Sequence, residues 1–241
     1  MVIKELRQRY KGSILGFLWT FLNPFLMLVV YSLVFSTIMR IDMDNYSYFL
    51  FAGLLPWMFF SNSILISAGV VVQNSNLIKK IYFPREILPI SVTLSGLVNY
   101  ILSFIILIPA MLIFKIQPTE AIIALPIVVI IQLVMVMGFS LWIAGLNVYF
   151  RDLEHILSVF LMAWFYLTPI IYPLKMIPEK YLMLINLNPV APVMIAYQDI
   201  LYYGVFPKWT HLGYDLLFSV ILLFTGLVVY ARLKRNFAEE I

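Results

Sequence analysis

Long apolar runs alternate with short polar segments along this chain. A membrane-spanning helix needs about 20 apolar residues, and six stretches of the sequence reach or approach that length. The alternation predicts an all-α membrane protein with six transmembrane helices in a single domain, residues 1–241. The apolar runs cover residues 12–39, 45–78, 87–114, 121–150, 156–174 and, with Asp215 near its outer end, about 212–230.

Prolines interrupt the apolar pattern in two places. The motif GLLPW at 53–57 lies near the start of the second run, so we expect a tilted or broken start and then a span to about Val72. Between residues 172 and 210, five prolines interrupt a sequence that stays apolar and aromatic. This predicts short re-entrant or interfacial helices over 173–205, before the last span. Because non-helical backbone at membrane depth must be buried in protein or line a cavity, this region should border a cavity or pore.

The N-terminal residues 3–17 place apolar side chains on one helical stripe and basic side chains on a neighbouring stripe. This pattern predicts a helix that lies along the membrane interface. Two interpretations of the basic stripe are open. It is attracted to anionic lipids in general, or it binds the diphosphate of a lipid carrier, for which the paired donors of arginine are suited. The candidate headgroup-binding residues are Lys4, Arg7, Arg9 and Lys11.

A polar loop, residues 74–86, separates the second and third apolar runs. Apolar residues at positions 77, 78, 81 and 82 fall on one face of a short helix predicted over Asn76 to Phe83, which Pro84 ends or kinks. Such a helix offers a docking surface, and the partner we expect there is a separate ATPase. The alternative is a solvated loop whose lysines only fix the membrane topology. The candidate partner-contact residues are Asn76, Leu77, Ile78, Lys79, Lys80, Ile81, Tyr82 and Arg85.

The distribution of basic residues predicts the orientation of the spans. With both termini in the cytoplasm, eleven of the sixteen Lys and Arg residues lie on the cytoplasmic side, as the positive-inside rule requires. The composition agrees with a membrane protein, because only 12% of the residues are charged whereas a soluble domain carries about 25%. The basic residues flank the apolar runs, which indicates contact with membrane lipids and not with nucleic acid. The chain has no cysteine, which excludes disulfides and thiolate chemistry.

The sequence lacks the residues that would let this chain supply its own driving force. It has no G-x-x-x-x-G-K-[ST] motif for binding the phosphates of ATP. We also expect no carboxylate or histidine at mid-membrane depth, where a gradient-driven carrier keeps the ligands of its coupling ion. ATP and Mg²⁺ are therefore expected on a partner chain, with no cofactor and no metal site in this one.

An enzyme is the main alternative, and it rests on the charged segment after the fourth run. Asp152 and His155 are three residues apart, so they can share a helix face and act as a base and its orienting group. Such a pair suits a membrane transferase that acts on lipid-linked sugars. The simpler interpretation is a charged turn that anchors the end of a span, and on that interpretation the chain has no catalytic residue.

Six spans are too few to enclose a pore for a polymer, so we expect two copies of the chain to form it. Aromatic faces pack against sugar rings, and small polar groups add many weak contacts along which a polymer can slide. The same aromatic residues also fit a belt at the membrane interface. The candidate channel-lining residues are Trp57, Phe60, Asn62 and Ser63 in the second span, and Trp164 and Tyr166 in the fifth.

Taken together, the sequence resembles the permease subunits of bacterial ABC-2 type exporters of surface polysaccharides, such as O antigen and wall teichoic acid. The resemblance covers nearly the whole chain, and five stretches in order carry it. They are RQRYKGSILGFLWTFLNP at 7–24, GLLPWMFFSNS at 53–63, NSNLIKKIYFPREILPI at 74–90, LNVYFRDLEHIL at 146–157, and TPIIYPLKMIP with NLNPVAPVMIAYQDILYYG at 168–204.

The resemblance implies a homodimer of six-span permeases with two separate ATPase subunits in the inner membrane. It implies a substrate that is an undecaprenyl-linked glycan or polyol phosphate, moved outward. It also implies that the loop at 74–86 couples the ATPase to the permease and that residues 173–205 form the outer mouth. A lipid or drug exporter of the same architecture is a further alternative. A somewhat longer leader is expected before RQRYK.

Overall fold

The computed structural model describes residues 1–2, 15–34 and 43–240, and within them the chain forms helices and no strand. Short 3-10 or π turns lead into or extend several of the α-helices. The α-helices are α1 (Trp19–Ser32), α2 (Tyr46–Gln73), α3 (Ser75–Lys80), α4 (Ile87–Ile113), α5 (Leu125–Asn147), α6 (Leu153–Leu167), α7 (Glu179–Leu187), α8 (Ala191–Gln198), α9 (Trp209–Leu233) and α10 (Phe237–Glu240).

Four helices among the described residues are long and apolar enough to cross a membrane. They are α2, α4, α5 with its preceding 3-10 turn, and α9. Helices α1 and α6 have 14 and 15 residues, which corresponds to about 21–23 Å of helix at 1.5 Å per residue. Helix α6 ends early because Thr168, which precedes Pro169, adopts the extended conformation that a following proline favours. Among the described residues, four helices are thus long and apolar enough to span a membrane, and the apolar helices α1 and α6 are shorter.

Helix α2 lies at the centre of the bundle and packs against α1, α4, α5, α6 and α8. The predicted break at GLLPW is wrong, because α2 continues through Pro56 without interruption. Neighbouring elements enclose this part of α2. Gln132 Nε2 donates a hydrogen bond of 2.7 Å to the Pro56 carbonyl. A Cβ atom on Gly53 would lie 2.9 Å from Gln198 Nε2, so Gly53 allows this close approach. Packing on all sides holds the proline inside a continuous helix.

Helices α5 and α9 run parallel and form the most extensive helix pair within the described part of the chain. Two glycines bring their backbones together. A Cβ atom on Gly138 would lie 2.8 Å from the Leu223 amide nitrogen, and one on Gly226 would lie 2.9 Å from the Gly138 carbonyl oxygen. Small residues at such crossings are common between membrane helices, because association there depends on close packing.

The two ends of the bundle differ in character. The α3 end holds α3, the α5–α6 turn and α10. The opposite end holds the short helices α7 and α8 and the π turn Asp199–Tyr203. The prolines of this region do break it into short helices, of nine and eight residues. Hydrogen bonds connect segments at this end, from Tyr46 Oη at the start of α2 to the Ile171 carbonyl at 2.7 Å and from Thr119 Oγ1 to the Gly204 carbonyl at 2.9 Å.

Candidate functional site

The loop after α2 forms a shorter helix than the sequence predicts. Helix α3 ends at Lys80, and Ile81 already has extended backbone angles. The predicted extension to Phe83 is wrong because Pro84 lacks the amide hydrogen that would bond to the carbonyl of Lys80 four residues earlier, and its ring also disfavours a helical Phe83. The four apolar residues therefore do not share one helix face. Ile78 points into the protein and is buried.

The outer surface of this loop combines two exposed apolar side chains with two lysines. Ile81 is 56% exposed and Tyr82 is fully exposed. Lys79 and Lys80 are exposed beside them, as is Asn76. We call Asn76, Lys79, Lys80, Ile81 and Tyr82 the docking surface. Large exposed apolar groups rimmed by charge, outside a membrane span, are typical of a site that contacts another protein.

The other side of the loop is fastened to the end of α9. The Arg85 guanidinium donates to the Lys234 carbonyl, and the Tyr230 hydroxyl donates to the Arg85 carbonyl at 3.0 Å. Lys234 forms an ion pair with Glu86. Burial of Glu86 opposes its ionised form, but the hydrogen bond and charge of Lys234 outweigh burial and lower the pKa of Glu86 below its ordinary value. Arg85 is thus used for an internal contact.

Helix α10 completes this attachment. Phe237 is fully buried, and its ring lies 5.4 Å from that of Tyr230 and 6.4 Å from that of Tyr149. It belongs to a cluster that also contains Ile78 of α3 and Val71 of α2. The Arg151 guanidinium donates to the Glu240 carbonyl at 3.3 Å. The segment after α9 therefore holds in place both the loop that contains α3 and the turn between α5 and α6.

A polar groove lies between α1, α2 and α4, within the part of the bundle that should be in the membrane. Its volume is about 110 Å³. Each helix contributes an amide side chain to its wall: Asn23, Asn62 and Asn99. Ser63 Oγ and Asn99 Oδ1 are buried and have no hydrogen-bond partner among the described residues. Polar groups left unpaired at membrane depth are costly unless water or a polar ligand satisfies them.

The structure separates the predicted channel-lining residues into three groups. Asn62 and Ser63 line the groove. Trp57, Phe60 and Trp164 pack together inside the chain, with ring centroids 5.3 Å apart for Trp57 and Phe60 and 5.4 Å apart for Phe60 and Trp164. Trp57 and Phe60 are buried, so they present no surface to a channel. At 3.6 residues per turn, position 62 lies on the opposite side of α2 from positions 57 and 60, and position 63 lies between these two sides.

Tyr166 lies apart from both groups. Its side chain is 54% exposed on α6. Trp164, two residues earlier, instead points inward, where its Nε1 donates to Asn188 Oδ1 at 2.9 Å. These two residues of the fifth run therefore face different surroundings.

Asn23 and Asn99 line the groove but are not among the candidate residues named from the sequence. Each is the only amide side chain in an otherwise apolar, charge-free run. This feature could have identified them, because an amide inside a span requires a polar partner or a cavity. Asp215 was expected near the outer end of the last span, and it lies within α9, where it is 5% exposed. Its Oδ2 has no hydrogen-bond partner among the described residues.

The charged segment after α5 is built as a turn and helix start. The Glu154 amide donates to Asn147 Oδ1 at 3.1 Å, and the His155 amide donates to the Asp152 carbonyl at 3.1 Å. The Asp152 and His155 side chains are exposed. Across the described residues, no group of three or more His, Asp or Glu side chains is placed to hold a metal ion. The arrangement fits the capping of α6.

The predicted headgroup-binding residues lie outside the described residues, so the structure gives them no position. They are Lys4, Arg7, Arg9 and Lys11.

The sequence matches the ABC-2 type transporter family over residues 1–202. Over its whole length it is 38% identical to the O-antigen export system permease protein RfbA of Myxococcus xanthus, and the alignment covers 94% of that protein. It is 33% identical to the protein of the same name from Klebsiella pneumoniae, over 98% of this chain and 91% of the relative. It is 26% identical to the polysialic acid transport protein KpsM of Escherichia coli, over 95% of this chain and 90% of the relative. The chain therefore belongs to the ABC-2 type transporter family.

Proposed function

We propose that this chain is the permease subunit of an ATP-driven exporter that moves a surface polysaccharide, attached to a lipid carrier, from the cytoplasmic to the outer side of the inner membrane. The observation that carries this proposal is the 38% identity, along the whole chain, to a permease named for O-antigen export. The match to a polysialic acid transport protein supports a polysaccharide as the substrate class. The undecaprenyl link and a role in teichoic acid export extend this proposal by family resemblance.

ATP and Mg²⁺ are bound by two separate ATPase subunits in this proposal, and the docking surface is where each subunit contacts a permease. The exposed Ile81 and Tyr82 supply apolar contact area, and Lys79 and Lys80 supply charge complementarity at the rim. The α3 end then faces the cytoplasm, together with both chain termini. The excess of basic residues at that end supports this orientation.

Two copies of the permease form the conduit, with the polar groove of each copy facing the other. The apolar surface of α1 is exposed at Phe25, Val29 and Val30, and it supplies area for such a contact. Asn23, Asn62 and Asn99 provide amide groups that exchange weak hydrogen bonds with a passing sugar chain. Helices α7 and α8 lie at the outer mouth.

Substrate entry is assigned to the N-terminal basic stripe. Arg7 and Arg9 offer paired donors to the diphosphate of the lipid carrier at the inner membrane surface, with Lys4 and Lys11 held near anionic lipids. Replacing both arginines by lysine preserves charge but removes the paired geometry.

The groove provides the test of this function. In cells that lack the chain, surface polysaccharide should disappear and lipid-linked glycan should accumulate on the cytoplasmic side. The native chain should restore export, whereas the double variant Asn62→Leu/Asn99→Leu should restore about a tenth of it or less, because the conduit loses its polar wall. The matched variant Asn62→Gln/Asn99→Gln keeps both amides and should restore most export. Full export by the leucine variant, present at normal levels in the membrane, would refute the groove as the conduit.

A further inference from the structure

A large cavity lies at the end of the bundle opposite α3. Its volume is about 770 Å³. The 3-10 turn Leu174–Met176, helices α7 and α8, and the first turn of α9 form its walls. Most of the wall is apolar, with Leu174, Leu182, Ile185, Ile195, Ala196 and Leu212 among its residues. A cavity of this size and lining suits a hydrocarbon chain.

The polar residues of the lining are Lys175, Gln198, Asp199, Tyr203, Lys208 and His211, and three of these six are basic. The side chains of the basic residues Lys175, Lys208 and His211 are all exposed to solvent. Lys208 and His211 flank the start of α9, where the unpaired amide groups of the helix add positive potential. Asp199 is the one carboxylate in the lining, and among the described residues no cation lies within 4 Å of it. The rim therefore attracts an anion.

The position of the rim matches the headgroup layer of a bilayer. Lys208 immediately precedes the first residue of a 25-residue span, and the hydrocarbon core begins about one turn further along such a helix. The apolar wall continues from this level toward Ile195 and Leu212. A ligand that fills the cavity thus has its charged part at the rim and its apolar part inside.

We propose that this cavity binds a phosphate-bearing lipid, with the phosphate at Lys175, Lys208 and His211 and the hydrocarbon against α7 and α8. Two sources share this chemistry: a phospholipid of the surrounding membrane, and the polyisoprenyl phosphate that carries the exported glycan. The second source rests on the proposed function. Cation–phosphate pairing at this level contributes on the order of 1 kcal/mol for each basic residue.

Asp199 gives this site a pH dependence. Burial raises the pKa of Asp199 to about 6, with Lys208 opposing the shift. The carboxyl is neutral below that pH and ionised above it, so repulsion of a phosphodiester increases as pH rises from 5 to 7.5. The other titratable groups in the lining are Lys175, Tyr203, Lys208 and His211. The variant Asp199→Asn isolates the contribution of the carboxyl, because the other groups are unchanged.

The test measures binding to the purified full chain in detergent. The phosphate probes are dioctanoylphosphatidylglycerol and farnesyl phosphate, and their uncharged counterparts are dioctanoylglycerol and farnesol. The double variant Lys175→Gln/Lys208→Gln should bind both phosphate probes about thirtyfold more weakly. The control Lys180→Gln removes a lysine of α7 that lies over the Tyr181 ring outside the cavity, and its binding should be unchanged. Affinity for dioctanoylphosphatidylglycerol should fall between pH 5 and 7.5, and less so in Asp199→Asn.

Equal binding of the uncharged counterparts would overturn the proposal, and so would an equal loss of binding in Lys180→Gln. A preference for farnesyl phosphate identifies the carrier as the ligand, and a preference for dioctanoylphosphatidylglycerol identifies membrane phospholipid. Binding is measured without transport, so its absence together with normal export would reject this site and leave the proposed function intact. Equal melting temperatures of the variants check that the fold is retained.

Discussion

Gln132 is a lone amide at the centre of the helix packing. Its side chain is fully buried, donates to the Pro56 carbonyl at 2.7 Å, and accepts a hydrogen bond of 2.7 Å from the Tyr197 hydroxyl. It thereby joins α5 to α2 and α8. Buried polar groups with good partners on several helices fix one arrangement of those helices.

Replacing Gln132 by leucine should destabilise the chain by about 1–3 kcal/mol, because the shape is roughly kept while the Tyr197 hydroxyl loses its acceptor. Unfolding of the purified protein in mixed micelles, followed by circular dichroism, measures this. Ser219→Ala is the matched control, since Ser219 Oγ is buried without a hydrogen-bond partner among the described residues, and it should change stability by less than about 0.5 kcal/mol. Equal losses in the two variants would mean that the Gln132 hydrogen bonds contribute nothing.

For single residues, the sequence indicates the position of a polar side chain inside an apolar run better than it indicates what an aromatic side chain contacts. Asn62 and Ser63 are polar positions inside an apolar run, and they do line the groove. Trp57 and Phe60 carry no such signal, because an aromatic side chain fits a channel wall, a lipid interface or a core equally well. Only the packing of α2 against α5 and α6 decides that they are core residues.

The packing of helix α5 against helix α9 depends on two glycines, Gly138 and Gly226. Gly138→Ala and Gly226→Ala should each destabilise the chain by about 1–3 kcal/mol, because the added methyl meets backbone atoms that cannot move independently. Gly213→Ala, in the same α9, meets nothing within 4 Å and should stabilise by up to about 1 kcal/mol through helix propensity. Thermal unfolding in detergent compares the three. A neutral effect at Gly138 and Gly226 would show that the helices can separate without loss.

The docking surface makes a prediction about the loop that contains α3. The double variant Ile81→Ser/Tyr82→Ser should lose most binding of the ATPase partner or uncouple ATP hydrolysis from export, because apolar anchors dominate such contacts. Lys79→Glu should have a milder effect that salt weakens. Co-purification and ATPase assays at two salt concentrations separate these outcomes. Normal partner binding and normal export by the double variant would remove the docking surface from the coupling mechanism.

The apolar runs predict the existence of the long helices well and their ends less well. The third, fourth and last runs correspond to α4, α5 and α9. Prolines cause most of the errors in the predicted helix ends. One proline interrupts a helix less than predicted, and another shortens a helix more than predicted. Pro56 is tolerated because packing encloses α2, whereas Pro84 ends α3 at the residue whose carbonyl it cannot satisfy. The periodicity of apolar residues predicts neither the packing around Pro56 nor the residue at which α3 ends.

For the whole molecule, the structure places two kinds of surface at different parts of one bundle. The docking surface lies at the α3 end, fastened through Arg85 and Phe237 to the end of α9. The polar groove lies along the membrane region between α1, α2 and α4. Helix α2 connects these regions, since it contributes to the groove wall and leads directly into α3. A partner that moves α3 therefore acts on a helix of the proposed conduit.

ATP-driven movement of lipid-linked glycan can be measured in reconstituted proteoliposomes. The purified chain, joined with its ATPase partner in proteoliposomes, should move lipid-linked glycan across the bilayer only when ATP and Mg²⁺ are supplied on the side of the α3 end. Protection of the glycan from an added glycosidase measures the movement. We expect ATP-dependent protection that disappears with Ile81→Ser/Tyr82→Ser and with Asn62→Leu/Asn99→Leu. Protection that is independent of ATP, or absent for every lipid-linked glycan while small amphiphiles are moved, would contradict it.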